Sequence, residues 1–242
     1  MATLLAYVKK KLYLCTLKTN HTMIKNVLFD LGGVLVDLSV HRSIAALMAL
    51  MKREKESEES ASGVGTPVTG MDLLGGGESE LMRLYQTGKI TTDVFVGKIL
   101  TVCRPGTTRE QVLDAWYAML GTIPEQRLAM LRRLKDAGLR LYILSNINEA
   151  HVEWVKTHYP ELHELCEQVF YSNEIEIAKP DAAAYEYVKA HADLRPEETL
   201  YIDDLEQNIR AGREAGFESL LALGDEWLPM AEQTIEAYKK QN

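Results

Sequence analysis

Four short polar stretches of the chain combine residue types that together can bind and attack a phosphate group. Three close carboxylates raise each other's pKa unless a positive charge lies among them. Oxygen ligands favour a hard divalent cation, and Mg²⁺ is the natural candidate. A carboxylate nucleophile, an ammonium and Mg²⁺ suit attack on a phosphate dianion, because that reaction depends mainly on positioning and charge neutralisation. The stretches are Asp30, Ser145-Asn146, Lys179-Pro180 and Asp203-Asp204.

The elements that must position these residues are strands that alternate with helices. Pro124 and Asp181 are typical of helix starts, and Gly138 and Gly216 are typical of helix ends. The alternation predicts an α/β fold, a doubly wound parallel sheet of the Rossmann-like type. Ligands of such a sheet bind beyond the carboxyl ends of its strands, so we expect the four polar stretches to share one pocket. The apolar runs that predict strands are 27–29, 139–144, 169–171, 200–202 and 219–223.

A helical insertion interrupts this alternation between residues 38 and 123. The strand signal disappears there, and helical periodicity replaces it at 44–51, 81–85, 94–102 and 112–120. A segment near 52–77 is rich in Glu, Ser and Gly, which is typical of a flexible loop. We therefore predict an α/β catalytic core from residues 23–37 and 124–242, with the insertion between its two parts.

Composition excludes several classes of protein. The 242 residues are 46% hydrophobic and 26% charged, with a net charge of -8, which argues against a nucleic-acid partner. The chain has no apolar stretch long enough for a membrane span, and its 3 cysteines form no ligand or disulfide pattern. A cytoplasmic protein is expected. Residues 1–22 carry four Lys and no acid, so they are either an extension outside the fold or a basic partner-binding arm.

The four stretches, taken in order, resemble the motifs of the haloacid dehalogenase superfamily of phosphohydrolases. The resemblance covers about residues 24–225, and the four motifs together are far more specific than any one of them. Within the superfamily, residues 144–148, 158–160 and 203–216 are similar to the subgroup that contains alpha-D-glucose-1-phosphate phosphatase. The insertion then resembles the small helical cap that closes over the substrate. The motifs are Phe29-Asp30-Leu31-Gly32-Gly33-Val34-Leu35, Leu144-Ser145-Asn146, Ala178-Lys179-Pro180, and Tyr201-Ile202-Asp203-Asp204 with Asn208.

This resemblance implies roles for the residues that would bind and attack the phosphate. Asp30 would be the nucleophile that forms an aspartyl-phosphate. Ser145 and Asn146 would hold the phosphoryl oxygens, and Lys179 would offset the charge of the nucleophile and the phosphate.

The resemblance also implies a Mg²⁺ site. Asp30, the main-chain carbonyl of Gly32 and Asp204 would contact the cation directly. Asp203 would act from a second layer or through water.

One position departs from the superfamily pattern. Its phosphatases usually place an acid-base Asp two residues after the nucleophile, where this chain has Gly32. Such catalysis contributes about 10²- to 10⁴-fold, so its loss predicts slow turnover or an easily departing leaving group. The leading hypothesis is a Mg²⁺-dependent phosphatase of a small phosphorylated metabolite, for example a sugar phosphate. The alternatives are a 2-haloacid dehalogenase and a catalytically weakened member of the fold that binds phosphate or a partner.

Overall fold

The computed structural model describes residues 23–51 and 79–240. Its centre is a five-stranded parallel sheet in the order β3-β2-β1-β4-β5. The α/β fold predicted from the sequence is thereby confirmed. The expectations for residues 1–22 and for the loop near 52–77 lie outside the described residues. The strands are β1 (Asn26–Phe29), β2 (Arg140–Ser145), β3 (Gln168–Tyr171), β4 (Thr199–Asp203) and β5 (Glu218–Leu221).

Helices cover both faces of this sheet and also build the insertion. Two short 3₁₀ helices, Pro196–Glu198 and Gly224–Trp227, complete the described elements. The insertion contains α1 (Val40–Leu50), α2 (Glu80–Gln86), α3 (Thr92–Val102) and α4 (Arg109–Tyr117). The remaining helices are α5 (Glu125–Asp136), α6 (Glu149–His158), α7 (Glu161–Leu165), α8 (Ser172–Ile175), α9 (Ala182–His191), α10 (Glu206–Glu214) and α11 (Leu228–Lys239).

Side-chain caps set several helix boundaries that apolar periodicity alone misplaces. The Thr108 hydroxyl accepts a hydrogen bond from the Gln111 N–H, and the Gln111 side-chain oxygen accepts one from the Thr108 N–H. Helix α4 therefore begins earlier than the predicted 112. Asp181 caps α9 as predicted, through the Ala183 N–H. Helix α4 also ends at Tyr117 instead of 120. Helices α6, α7, α8 and α11 had no counterpart among the predicted elements.

The sheet divides the apolar side chains between two faces. On β1, Val27 and Phe29 belong to one buried cluster, whereas Leu28 belongs to the cluster on the opposite face. All three are fully buried, which is expected for a central parallel strand covered by helices on both sides. A third cluster, around Phe95 and Trp116, is the core of the insertion. The insertion therefore has apolar packing of its own.

The chain leaves the α/β core and returns to it through two hydrogen-bonded segments. The Asp37 N–H donates to the Thr122 carbonyl at 3.0 Å, and the Gly121 N–H donates to the Asp37 carbonyl at 2.8 Å. The buried guanidinium of Arg127 contacts the Asp37 carboxylate at 2.9 Å and the Asp225 carboxylate at 2.6 Å. These contacts fix where the insertion joins the sheet. Among the described residues, no helix has both the length and the apolar character needed to cross a bilayer.

Candidate active site

The centre of the site is the buried ammonium of Lys179. Its Nζ atom lies 2.9 Å from Oδ1 of Asp30 and 2.7 Å from Oδ2 of Asp203. Asp30 follows β1 and Asp203 ends β4, two neighbouring strands of the parallel sheet. The sequence prediction that these strand ends converge therefore agrees with the geometry. One cation holds two carboxylates at the carboxyl edge of the sheet.

Asp203 is held more tightly than any other acid in this cluster. Its Oδ2 atom accepts a hydrogen bond from the Tyr201 hydroxyl at 2.6 Å, in addition to the bond from Lys179. Its Oδ1 atom accepts from the Leu205 N–H at 2.8 Å and from Nδ2 of Asn208 at 3.0 Å. The carboxylate is completely buried. Asp203 therefore has its oxygens occupied by the protein, which suits a residue that orients its neighbours.

Ser145 and Asn146 follow β2 at the same edge, but their surroundings differ. Ser145 is buried at the last position of the strand. The side chain of Asn146 hydrogen-bonds the main chain of Lys179 in both directions, accepting from its N–H at 2.8 Å and donating to its carbonyl at 2.7 Å. In this structure the Asn146 amide therefore fixes the loop that carries the ammonium.

Two glycines after Asp30 shape the loop beside the carboxylates. Gly33 has a φ of +80°, and a β-carbon built there would collide with the carboxylate of Asp204. Gly32 does not have a positive φ, and a β-carbon there would lie 2.5 Å from Cδ1 of Leu38, the end of a flexible and exposed side chain. A side chain at position 32 is therefore sterically conceivable, whereas one at position 33 is not.

The shifted pKa values of the three acids and Lys179 indicate an excess of negative charge at the site. Burial, with the nearby Asp203 charge, raises the pKa of Asp30 to about 7 even though Lys179 opposes the shift. Burial and Asp203 also raise the pKa of Asp204. Burial would raise the pKa of Asp203 as well, but Lys179 and Tyr201 hold it below its usual range. Burial lowers the pKa of Lys179, and the two facing carboxylates more than reverse that effect.

This charge balance fits a divalent cation. Oxygens of Asp30, Asp203 and Asp204 all lie within 4.8 Å of one another, and the single ammonium of Lys179 faces the three acids. Carboxylate oxygens are ligands that Mg²⁺ prefers. A cation placed there would favour the charged forms of the acids with raised pKa values. The donor set and the uncompensated charge therefore both suit Mg²⁺.

A cavity of about 840 Å³ extends from this cluster to the insertion. At the sheet edge its lining includes Asp30, Ser145 and Lys179, and on the insertion it includes Trp116 and Met119. The sequence leaves two interpretations open for Trp116, Tyr117 and Met119, which could line the substrate face of the insertion or pack in its core. Trp116 is almost fully buried and packs in the insertion core while it also lines the cavity.

A closed set of hydrogen bonds joins the insertion to the core beside this cavity. Oδ1 of Asn148 accepts from the indole Nε1 of Trp116 at 3.4 Å and from the His151 N–H at 3.1 Å. The His151 ring contacts the Asn148 amide nitrogen at 3.1 Å and the Trp116 carbonyl at 3.3 Å. Because a carbonyl only accepts, we assign the ring proton to Nε2. Burial lowers the pKa of His151 to about 4, so the ring is neutral at pH 7.

The profile of the haloacid dehalogenase-like hydrolase family matches residues 24–216. This match defines a hydrolase, and its fold is of the α/β class. The chain belongs to the haloacid dehalogenase-like hydrolase family.

Two relatives in this family carry phosphatase names. A D-ribitol-5-phosphate phosphatase of Bacteroides thetaiotaomicron is 25% identical over 202 residues, which cover 81% of this chain and 91% of that protein. The sesquiterpene phosphatase astK of Aspergillus oryzae is 24% identical over 209 residues, covering 82% of this chain and 90% of that protein. A solved structure of an enzyme of the family from B. thetaiotaomicron, in complex with magnesium and inorganic phosphate, has a TM-score of 0.71 and 27% identity, covering 86% of this chain and 98% of that chain. The resemblance to the glucose-1-phosphate phosphatase subgroup stays a prediction.

Proposed function

We propose that the protein is a Mg²⁺-dependent phosphatase that acts on a small phosphorylated metabolite through an aspartyl-phosphate on Asp30. The observation that carries this proposal is the buried ammonium of Lys179 between Asp30 and Asp203 at the end of a large cavity. The phosphatase relatives and the magnesium and phosphate complex of a family structure support it.

Each residue of the cluster has a separate task in this proposal. Asp30 attacks phosphorus, so an aspartyl oxygen–phosphorus bond forms while the bond from phosphorus to the leaving oxygen breaks. Ser145 and Lys179 bind the phosphoryl oxygens, and Asn146 positions Lys179 through its main chain. Water then attacks phosphorus, which releases inorganic phosphate and restores the Asp30 carboxylate. The leaving oxygen takes its proton from solvent, because Gly32 has none to donate.

Asp30, the Gly32 carbonyl and Asp204 are the residues that would hold Mg²⁺. Asp203 would contact the cation only through water or through the residues that hold it. Its oxygens already accept hydrogen bonds from Lys179, Tyr201, Asn208 and the Leu205 N–H. When bound, the cation supplies charge neutralisation for the approach of a carboxylate to a phosphate dianion.

The acidic pair at the end of β4 also weighs against a dehalogenase. A 2-haloacid carries its own carboxylate, and Asp203 and Asp204 would repel it without a cation between them. A phosphate dianion with Mg²⁺ has no such conflict. The phosphatase therefore accounts for both acids.

The test is release of inorganic phosphate from acetyl phosphate and p-nitrophenyl phosphate, with Mg²⁺ and with a chelator. We expect release that depends on Mg²⁺ and is abolished in Asp30→Asn, a nearly isosteric change that removes the nucleophile. Asp136→Asn, an exposed acid at the end of α5, is the matched control and keeps the parent rate. Intact-mass measurement after rapid quenching should find one added phosphoryl group on the parent and none on Asp30→Asn.

Two results would overturn this function. Release that is undiminished by the chelator would exclude the metal role. Parent-level turnover in Asp30→Asn would exclude Asp30 as the nucleophile.

A further inference from the structure

The wall of the cavity that faces the phosphate site is built from apolar side chains. Ile44 and Leu47 of α1, Met82 of α2, and Trp116 and Met119 at the end of the insertion line this wall. The opposite end of the same cavity holds the carboxylates and Lys179. A substrate whose phosphate lies against Asp30 would therefore extend its remaining atoms along hydrocarbon and indole surfaces.

Apart from Gln86, the polar side chains near this wall have partners within the protein. The guanidinium of Arg83 makes two hydrogen bonds of 2.8 Å to Glu80 on the same helix. The Thr87 hydroxyl donates to the Arg83 carbonyl at 2.8 Å. Asn148 and His151 are engaged with each other and with Trp116 in the closed set of hydrogen bonds.

This pairing has a consequence for a polyhydroxylated ligand. In the part of the chain that the structure describes, Gln86 is the cavity-lining amide of the insertion that has no side-chain hydrogen bond. The Gln86 amide could bind one hydroxyl, but further hydroxyls buried against this wall would lose their water without gaining partners, which is unfavourable. An apolar ligand incurs no such loss.

The rim of the cavity adds a second, independent observation. Three large apolar side chains at the rim are strongly exposed: Leu38 at 43%, Val40 at 51% and Leu205 at 47%. Leu38 and Val40 lie where the insertion begins, and Leu205 follows the acidic pair of β4, so they approach the site from different elements. Exposed apolar side chains that line a cavity are typical of a binding site for an apolar group.

We propose that the natural substrate is a phosphate monoester of an apolar alcohol, with a hydrocarbon body such as an alkyl or prenyl chain, or an aromatic one. The phosphate lies against Asp30 and Lys179, and the apolar body lies between the rim and the insertion wall. This inference rests on the phosphatase function proposed above and narrows its substrate to one chemical class, in place of the sugar phosphate expected from the sequence.

The experiment compares primary phosphate esters that differ only in the body behind the same type of leaving oxygen. n-Propyl, n-hexyl and n-octyl phosphates form one series, and glycerol 3-phosphate with a pentitol 5-phosphate forms the polar comparison. We expect kcat/KM to rise with chain length by up to about fourfold per methylene that becomes buried, and to be lowest for the pentitol ester. Geranyl phosphate and 2-(1-naphthyl)ethyl phosphate, both esters of primary alcohols, then distinguish an open chain from an aromatic body.

Two variants on one helix locate the effect. Ile44→Asn places an amide on the cavity wall at a half-buried position and should flatten the rise of kcat/KM with chain length. Met48→Gln, one turn further along α1, replaces a side chain that is 52% exposed and lies outside the cavity lining, so its chain-length series should match the parent.

The outcomes separate this inference from the function on which it rests. If acetyl phosphate is hydrolysed in a Mg²⁺- and Asp30-dependent manner but the pentitol ester exceeds octyl phosphate, or the alkyl series is flat, the apolar substrate is wrong and the phosphatase stands. If equal flattening occurs in Met48→Gln, the wall is not the cause. If no phosphate ester is hydrolysed by the parent, the phosphatase fails, and the substrate proposal fails with it.

Discussion

The two ends of the cavity differ in their charge balance. The end at the sheet edge, the charged end, has an excess of negative charge, whereas the end at the insertion, the apolar end, has none. At the sheet edge, Asp30, Asp203 and Asp204 lie close together with one ammonium between the first two, and the pKa values of Asp30 and Asp204 are raised. At the insertion, the polar groups that line the cavity are neutral or are paired with neighbours on the protein, as Arg83 is with Glu80. An unbalanced cluster needs something from outside to complete it, whereas a satisfied wall only excludes water. The difference indicates that different ends of the cavity bind the phosphate with its cation and recognise the rest of the substrate.

The largest effect on stability and activity should come from removing the ammonium of Lys179 from the carboxylate cluster at the sheet edge. Lys179→Met leaves Asp30 and Asp203 without their common partner, both almost fully buried. We expect the free energy of unfolding to fall by about 3–5 kcal/mol in the absence of added metal, as measured by urea denaturation. Phosphate release at a temperature where the variant is folded should fall by at least about 10²-fold.

The control for this change is Lys156→Met. Lys156 forms an ion pair of 2.9 Å with Glu174, and both side chains are about half exposed. Such a pair contributes about 0–1 kcal/mol, so stability should change little and phosphate release should be unaffected. If both variants lose the same stability and the same phosphate release, the burial of the Lys179 charge is not the cause of the effect.

The next effect concerns the acid that is missing from the charged end. Gly32→Asp should raise the turnover of alkyl phosphates by up to about 10²- to 10⁴-fold, because a positioned acid protonates a poor leaving oxygen. Aryl phosphates, whose leaving oxygens are stable as anions, should gain much less. Room for the new β-carbon requires that the exposed end of Leu38 moves. The measurement is kcat for octyl and p-nitrophenyl phosphates.

Gly32→Asn is the matched control for that gain. It has the same size as the aspartate, but its amide has no acidic proton to transfer to the leaving oxygen, so it should not raise alkyl turnover. A gain in Asn as large as in Asp would contradict the acid role and point to a change in loop geometry.

The smallest of the three effects is the pH dependence of stability caused by His151, at the apolar end of the cavity. His151 has a pKa of about 4 in the fold against an ordinary value of 6.5, so the unfolded chain binds its proton first as the pH falls. The stabilisation that depends on a neutral His151 is fully present above about pH 6.5 and is lost as the pH falls toward 4, by about 3 kcal/mol. Urea denaturation from pH 4 to 8 should show a shallower acid loss in His151→Gln than in the parent.

His158→Gln provides the comparison on the same helix, because His158 is exposed near the end of α6. Its pH profile of stability should follow the parent. If His151→Gln also follows the parent, the buried ring is not the source of the acid sensitivity.

Sequence predicted the charged end better than the apolar end for a physical reason. Asp30 and Asp203 each lie at the end of a short apolar run, and parallel strands bring such ends together whatever the details of packing. The insertion wall depends instead on which face each helix buries. Trp116 and His151 stack on each other with ring centroids 4.9 Å apart, yet they belong to different elements and share no motif.

The individual roles of some residues at the charged end could be assigned only from the structure. The residue type of Asn146 suits a phosphate ligand, but its amide is used to hold the main chain of Lys179. No role beyond its place in the fourth motif was predicted for Tyr201. It lies two residues before Asp203 on one strand, and alternation along a strand places such residues on the same side, so this contact had a signal in the sequence.

The close approach of Gly33 to the carboxylate of Asp204 has an evolutionary consequence. The space that any side chain at position 33 would need is already filled by the acid, and the φ of +80° independently disfavours other residues. The two positions are therefore expected to change together in descendants of this sequence. A lineage that replaces Gly33 must first shorten or move the acid at 204, and by doing so it gives up a carboxylate oxygen beside Asp30.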